Sequence, residues 1–438
     1  MEKYDVIIIG AGPAGYPCGI RCAQKGLKVL IIEKGEVGGI CLNKGCIPTK
    51  TLFHISEEIE NRFGIIEKKV SFSWEDILSY VKKNVISRLK AGVDFLLKKN
   101  GIDIIKGEAE LIGERTVKVN NNLFEGENIV IATGSLPSVP SIFKDDERVI
   151  TSDEIWETDR LPKSLAIIGG GAIGCEFASI FKKFGVEISI YEMMENLLPG
   201  IDKEISSTLK REFEKRGIRV ITGKKIENPG KMEEEKILLC IGRKPYMEKI
   251  SDIGIETDEN GVKVSPQMET NIKNIYAVGD ITGKHMFAYV ATREGEIAAE
   301  NIAGENKRMD YSTIPVAIFS DPEVGICGMS EEDARKNGLK VKVGKFPYLA
   351  LGKSHASGKK EGFVKIIAEE ETERIIGIHI IGKGATELVS FSTLAIKNNL
   401  KVKDLQEILY CHPTFSEAIM EASFDVEKKS IHLPPERI

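Results

Sequence analysis

Residues 5–33 read DVIIIGAGPAGYPCGIRCAQKGLKVLIIE, and residues 164–192 read SLAIIGGGAIGCEFASIFKKFGVEISIYE. Each stretch runs from a short apolar segment through a glycine cluster into a segment of helical period. A glycine-containing turn then leads to a second apolar segment ending on Glu. The first motif glycine and that Glu lie 23 residues apart in both copies, Gly10 to Glu33 and Gly169 to Glu192. Such a repeat is one supersecondary unit used twice. The apolar segments have strand length, and the helical segment between them is the crossover that parallel strands require.

Gly10, Gly12 and Gly15 spell G-x-G-x-x-G between a strand and a helix, and Gly169, Gly171 and Gly174 repeat it. The first glycine permits a tight turn, the second lets a pyrophosphate reach the backbone, and the third lets the helix pack on the strand. Free N–H groups and the helix dipole favour an anion at that place. Glu33 is placed to accept hydrogen bonds from a ribose. Glu192 bears on cofactor choice, because a carboxylate accepts from the 2′-OH of NAD and repels the 2′-phosphate of NADP. The next residues, Met193, Met194 and Glu195, carry no positive charge, so NAD is predicted. One such motif alone is often only a glycine-rich turn. The spacing, the Glu and the repeat argue for an α/β chain with two related Rossmann-like dinucleotide-binding domains.

The 438 residues suffice for about three domains. The first unit is expected over 1–145, with a helical stretch at 74–99, short strands within 102–131, and a buried strand at 129–134 turning at Gly134. The second is expected over 146–245, closing with 237–242. A return segment, 246–312, holds the run 275–280 and a helix over 289–303, and completes the first domain. Residues 313–438 change texture and carry no fingerprint. They predict a separate α+β domain with strands at 363–367 and 375–381 and helices at 385–398 and 405–410. Net charge is −5 with no basic run, which argues against nucleic acid or an anionic membrane as partner. The apolar runs are too short to span a bilayer. The N-terminus does not read as a signal peptide, and a cytoplasmic protein is expected.

Eight cysteines in such a chain do not suggest a structural disulfide framework. Residues 38–50, GGICLNKGCIPTK, are the exception. A loop of four residues between Cys41 and Cys46 can close a disulfide. Cys46 lies near a helix start, where a thiolate is stabilised, and Cys41 stays more available to an outside thiol. A metal site wants shorter spacing and more ligands. Two unconnected core cysteines are the other reading of the pair. Cys18 and Cys22, four apart on one helix, read as buried core, as do Cys175, Cys240, Cys327 and Cys411. His285, His355 and His432 show no partner pattern and read as surface or loop residues.

The segment GGICLNKGCIPTK resembles the redox-disulfide signature of the flavin-dependent pyridine nucleotide–disulfide oxidoreductases. Over nearly its whole length the chain is similar, within that family, to the dihydrolipoamide dehydrogenases. The resemblance implies FAD in the first unit, NAD in the second and a C-terminal dimerisation domain. It implies that Cys41 exchanges with substrate while Cys46 faces the flavin. Lys50 matches the family's flavin-side lysine and Glu176 its carboxylate partner. Ala109, in Gly-Glu-Ala, resembles the stretch that holds adenine, and Asp280 the aspartate on the ribityl chain. Gly242 resembles a residue lining the NAD site, and Gly134 and Met286 join the cofactor-binding set. Residues 411–418, CHPTFSEA, match His412 and Glu417 to the family's base and its orienting carboxylate. A His–Glu pair is what removing a thiol proton near neutral pH requires. The implied function is oxidation of protein-bound dihydrolipoamide with reduction of NAD. Its partner would be a lipoyl domain or lipoyl carrier protein of a 2-oxo-acid dehydrogenase or glycine-cleavage system. His412 is implied to reach the disulfide across the two-fold axis of a homodimer.

Glutathione-reductase-like members carry two polar residues before the Glu and basic residues after the second fingerprint; this chain has Phe415 and Glu192. Mercuric reductases end in a vicinal cysteine pair, which HLPPERI lacks. A reductase of another small disulfide, and a non-catalytic flavoprotein assembly subunit, are the alternatives. Three departures qualify the match. The 222–236 connection is short where relatives carry a β-meander, which predicts a trimmed, more open NAD domain. Tyr289 stands where the lipoamide enzymes usually have His. Pro17 falls in the first turns of a helix, where a missing N–H is tolerable.

Overall fold

The computed structural model describes residues 1–60, 71–248 and 253–435. The first repeat forms the strand Glu2–Ile9, the helix Gly15–Gln24 and the strand Val29–Glu33. Glu2–Ile9 is central, parallel to Val29–Glu33 on one side (Ile7 opposite Leu30) and to Asn122–Ile131 on the other (Ile7 opposite Ile129). Asp103–Lys106 adds a parallel strand beyond Val29–Glu33. Ile275–Ala277, from the return segment, adds one beyond Asn122–Ile131. The nearly unbroken apolar reading of 6–9 and 29–32 follows, since both sheet faces are covered and those residues are at most 5% exposed. The predicted strands within 102–131 are present, with two antiparallel pairings among them.

The second repeat builds the same pattern. Its sheet runs Arg219–Ile221, Glu187–Tyr191, Ser164–Ile168, Lys236–Leu239, Val149–Thr151, all parallel. The fifth strand comes from the segment before the repeat here and from the return segment in the first sheet. The two chain crossings between the units pair antiparallel with each other, Ser135–Pro137 against Arg243–Pro245. The short 222–235 connection contains no strand and one 3₁₀ turn, Pro229–Lys231. Arg148 holds it, donating to the carbonyls of Pro229 (2.9 Å) and Met232 (2.7 Å) while paired with Asp146.

The C-terminal part is an antiparallel sheet ordered Val316–Ile318, Val324–Gly328, Ile375–Ile381, Phe363–Glu369, Val341–Pro347. The helices Ala385–Lys397 and Glu417–Asp425 pack on it. The approach is close enough that a Cβ on Gly325 would meet the Ala385 carbonyl oxygen at 2.2 Å.

Three sequence expectations are corrected. The helix expected over 405–410 lies at Val402–Gln406. Asp404 accepts from the Lys401 N–H (2.7 Å), which starts the helix a turn early. Beyond its end Leu409 is fully exposed at 99%. Cys411, on the same departing segment, is exposed rather than packed. His432 is a surface residue as expected, but it has a partner, with Nδ1 2.7 Å from the buried Glu421. The helical stretch expected at 74–99 is present, as the α-helices Trp74–Tyr80 and Ser87–Lys99 joined by a π-helical turn at Val81–Ile86. No helix among the described residues is long and apolar enough to cross a membrane.

Candidate active site

Two glycines decide where the cysteine loop sits. Gly38 (φ +92°) and Gly39 (φ +59°) take left-handed conformations, and a Cβ on Gly39 would lie 2.7 Å from Cα of Gly12. The loop therefore presses on the first fingerprint turn, and the Gly38 N–H donates to the Ala11 carbonyl (2.9 Å). A short helix, Gly39–Asn43, carries Cys41, and the helix Cys46–Ile59 begins on Cys46. The two cysteines are joined as a disulfide with Cα atoms 4.6 Å apart, both half-buried. Cys18 and Cys22 are buried thiols. The Cys22 contact and burial push the Cys18 thiol up, so Cys18 is not a reactive thiolate.

The fingerprint glycines divide by role. A Cβ on Gly10 would meet the Ala132 carbonyl oxygen at 2.3 Å, and one on Gly15 the Gly10 oxygen at 1.9 Å. In the second unit, Gly169 faces Cys240 at 2.3 Å and Gly174 faces Gly169 at 2.0 Å. Folding alone thus demands the first and third glycines. The middle ones differ, since Gly171 faces open space and Gly12 meets only Gly39, at 3.9 Å. Open backbone at a helix start is the cradle a pyrophosphate needs, so both turns fit a dinucleotide.

Glu33 and Glu192 are used alike. Glu33 accepts from the N–H groups of Ala11 and Gly35, both at 2.6 Å. Glu192, 5% exposed, accepts from those of Gly170 (2.6 Å) and Met194 (2.8 Å). Each carboxylate braces its glycine turn and retains lone pairs for a ribose hydroxyl.

Lys50, on the helix of Cys46, reaches Glu176 on the helix Ala172–Lys183 with contacts of 2.9 and 2.8 Å. The Phe319 N–H donates to the same carboxylate (3.0 Å). Lys50 Nζ lies 4.9 Å from the Phe319 ring centroid. Ala109 is partly buried, just beyond Gly107, whose N–H donates to the Glu33 carbonyl (3.0 Å). Gly134 (φ +75°) and Gly242 (φ +95°) flank the two crossing strands. Asp280 accepts from the Ser135 hydroxyl (2.5 Å), which in turn accepts from Arg243 (2.8 Å), itself paired with Asp153 (2.8 Å). Burial raises the Asp280 carboxyl above its ordinary range. Met286 is half-buried beside Phe287, whose ring stacks on that of Tyr289 at 5.3 Å. The Tyr289 hydroxyl donates to the Pro315 carbonyl.

At the other end of the chain, His412 Nδ1 lies 2.8 Å from Glu417, whose second oxygen accepts from the Thr414 N–H (2.6 Å). The imidazole is 76% exposed. Among the described residues no hydrogen bond or ion pair joins this pair to Cys41 or Cys46.

Residues 4–295 match the family model described as pyridine nucleotide-disulphide oxidoreductase, and residues 314–423 match the dimerisation domain of the same family. The chain belongs to the pyridine nucleotide–disulphide oxidoreductases. It is 37% identical over 466 residues to a dihydrolipoyl dehydrogenase of Thermus scotoductus, covering 99% of each chain. It is 36% identical over 471 residues to that of Bacillus subtilis, covering 98% of this chain and 99% of the other. A solved structure, the HOCl-induced flavoprotein disulfide reductase RclA of Escherichia coli, superposes with a TM-score of 0.89 at 28% identity. That match covers 96% of this chain and 99% of the other.

Several site groups escaped the sequence reading. Ser135, Arg243 and Asp153 form a chain behind Asp280 that joins both crossing strands. Glu294, fully buried, accepts from the Gly279 N–H and the Tyr311 hydroxyl, both at 2.6 Å. Burial raises it to about 7. Lys365, 1% exposed, is held by Asp202 (3.0 Å), Glu204 and Glu331 (both 2.9 Å), tying the second nucleotide unit to the C-terminal sheet. None of these pairs has a sequence period that could have announced it.

Proposed function

We propose that the chain is a dihydrolipoyl dehydrogenase: with FAD and NAD it oxidises protein-bound dihydrolipoamide to lipoamide and reduces NAD. The observation that carries this reading is the Cys41–Cys46 disulfide, closed at the start of the Cys46–Ile59 helix and pressed onto the first glycine turn. Gly10, Gly12, Gly15 and Glu33 would hold the FAD pyrophosphate and ribose. Lys50, Ala109, Gly134, Asp280 and Met286 would contact its remaining parts. Gly169, Gly171, Gly174, Glu192 and Gly242 would hold NAD, with Glu176 fixing Lys50 between the two. When bound, FAD supplies a two-electron acceptor for the thiols, and NAD the hydride acceptor that restores it.

The chain's own groups handle the thiol chemistry. One sulfur of the dithiol attacks Sγ of Cys41 as a thiolate, and the S–S bond breaks with its electron pair leaving on Cys46. The helix start holds that charge. His412 takes the thiol proton through Nε2, because Glu417 engages Nδ1 and fixes the tautomer. The second substrate sulfur then displaces Cys41, so lipoamide leaves oxidised and both cysteines remain reduced. In this reading His412 reaches the disulfide from the other subunit of a homodimer, which accounts for its exposure in the single chain. The partner is a lipoyl domain or lipoyl carrier protein of a 2-oxo-acid dehydrogenase or glycine-cleavage system, and the enzyme works in the cytoplasm.

The test is turnover with dihydrolipoamide and NAD against turnover with glutathione disulfide and NADPH. The first pair is expected to prevail, and equal or better turnover of the second refutes the reading. His412→Gln is expected to lose roughly 10²–10⁴-fold of dihydrolipoamide oxidation. NADH oxidation by an artificial acceptor should persist in that variant.

A further inference from the structure

Lys44 lies between the two redox cysteines, and its carbonyl has no place in either flanking helix. The short helix Gly39–Asn43 has ended before it. The next helix begins on Cys46, and the residue four positions beyond Lys44, where a helical N–H would come from, is Pro48. Proline has no N–H to give. A carbonyl so placed must find another donor or remain unsatisfied.

The donor comes from the second nucleotide unit. The indole Nε1–H of Trp156 donates to the Lys44 carbonyl at 2.6 Å. Trp156 is 5% exposed and packs in one core cluster with Leu52 and Phe53 of the Cys46 helix. It sits on the 3₁₀ turn Ile155–Glu157, which directly follows the edge strand Val149–Thr151. That turn is itself braced, since Glu154 accepts from the Thr151 N–H (2.8 Å) and hydroxyl (2.9 Å). Glu157 of the same turn lies 3.4 Å from Lys44 Nζ. This pair is exposed and adds little.

We propose that Trp156 is a positioning residue for the redox disulfide: its indole N–H pins the loop between Cys41 and Cys46 and so sets how readily that disulfide is reduced. The proposal rests on the reading of Cys41–Cys46 as the redox centre. In the oxidised protein the loop is held twice, by the disulfide and by the indole. In the reduced protein the indole alone holds it. Removing the N–H therefore frees the reduced loop more than the oxidised one. The effective concentration of one thiol at the other falls, and disulfide closure becomes less favourable. Two electrons and two protons enter with reduction in either case, so only the equilibrium moves. The arrangement also gives the edge of the second sheet a direct mechanical hold on the cysteine loop of the first unit.

The test equilibrates the FAD-bound protein with dithiothreitol redox buffers, quenches by alkylation, and counts modified Cys41 and Cys46 by mass spectrometry. Trp156→Phe is expected to lower the closure constant about three- to tenfold, with tenfold corresponding to about 30 mV towards easier reduction. Ile366→Val, a buried change in the C-terminal sheet and in a different core cluster from Trp156, should lower the melting temperature without moving the constant. The chain has only two tryptophans. Replacing tryptophan by its benzothiophene analogue in Trp74→Phe protein therefore removes the N–H at 156 while keeping the ring's shape. This second form of the test serves should Trp156→Phe fold poorly. A closure constant within twofold of wild type in the folded Phe variant, or in the analogue protein against Trp74→Phe, overturns the proposal. Turnover with dihydrolipoamide and NAD tests the functional reading separately, so the two can fail independently.

Discussion

Replacing Glu192 by Gln probes a residue that serves both the fold and the choice of nucleotide. Both carboxylate oxygens are occupied, one by the Gly170 N–H at 2.6 Å and the other by the Met194 N–H at 2.8 Å. A Gln side chain offers one acceptor oxygen and one NH₂ group. In either orientation one backbone N–H then faces another donor in a site only 5% exposed. Loss of one charge-assisted bond should cost about 1.5–3 kcal/mol of stability. The electrostatic consequence is larger for NADP than for NAD. A carboxylate and a phosphate about 6 Å apart, at an effective dielectric of about 20, repel by roughly 3 kcal/mol per unit charge. Salt trims this, and a preference for NAD of at least about tenfold, ~1.4 kcal/mol, is the floor expected of the wild type. In Glu192→Gln, kcat/KM should fall with NAD, rise with NADP, and bring their ratio towards one. The assay is steady-state kcat/KM for both nucleotides at fixed dihydrolipoamide and two ionic strengths, with a melting curve for each protein. A folded variant that keeps the wild-type ratio would refute the reasoning, as would a wild type indifferent to the two nucleotides.

Changing Cys41 to Ser should leave a permanent Cys46 thiolate and a long-wavelength absorption band beside the flavin, whereas Cys46→Ser should abolish that band; equal bands in both reverse the assigned roles. Lys365→Met leaves Asp202, buried at 1% exposure, beside two further carboxylates without their shared cation. A loss of about 3–5 kcal/mol in denaturant unfolding is expected, and a loss below about 1 kcal/mol contradicts the account. Glu294 titrates near 7 in the folded chain against an ordinary value of 4.5. Between those pH values the folded state holds more protons there than the unfolded state, so stability falls as pH rises through the window and the penalty is complete above it. Glu294→Gln should therefore show a flatter stability between about pH 5 and about pH 8, and an unchanged slope would assign the dependence to another group.

The glycine turns, the strand–helix–strand repeat, the two nucleotide units and the cysteine loop were all legible in the sequence. They are largely local: a Cβ at Gly15 collides with the carbonyl of Gly10, five residues earlier in the same turn, and strand burial imposes its apolar run directly. The Lys50–Glu176 and His412–Glu417 pairings came from family resemblance, and the tertiary structure brings each pair within hydrogen-bond distance. Where competing local signals were close, the sequence misled. The 405–410 run looked helical, but Asp404 capped an earlier start at Lys401 and left Leu409 in solvent. Cys411 looked like a packing residue because nothing local marks which side chain of a loop stays in solvent while its neighbours Tyr410 and Phe415 pack on the core. The Ser135–Asp280 contact spans 145 residues, the Lys365–Asp202 contact 163 and the Trp156–Lys44 contact 112. Only the packing of one unit against another decides such partners. A buried donor or acceptor takes whatever complementary group the docked surface presents, and no periodicity in the chain encodes which group that is.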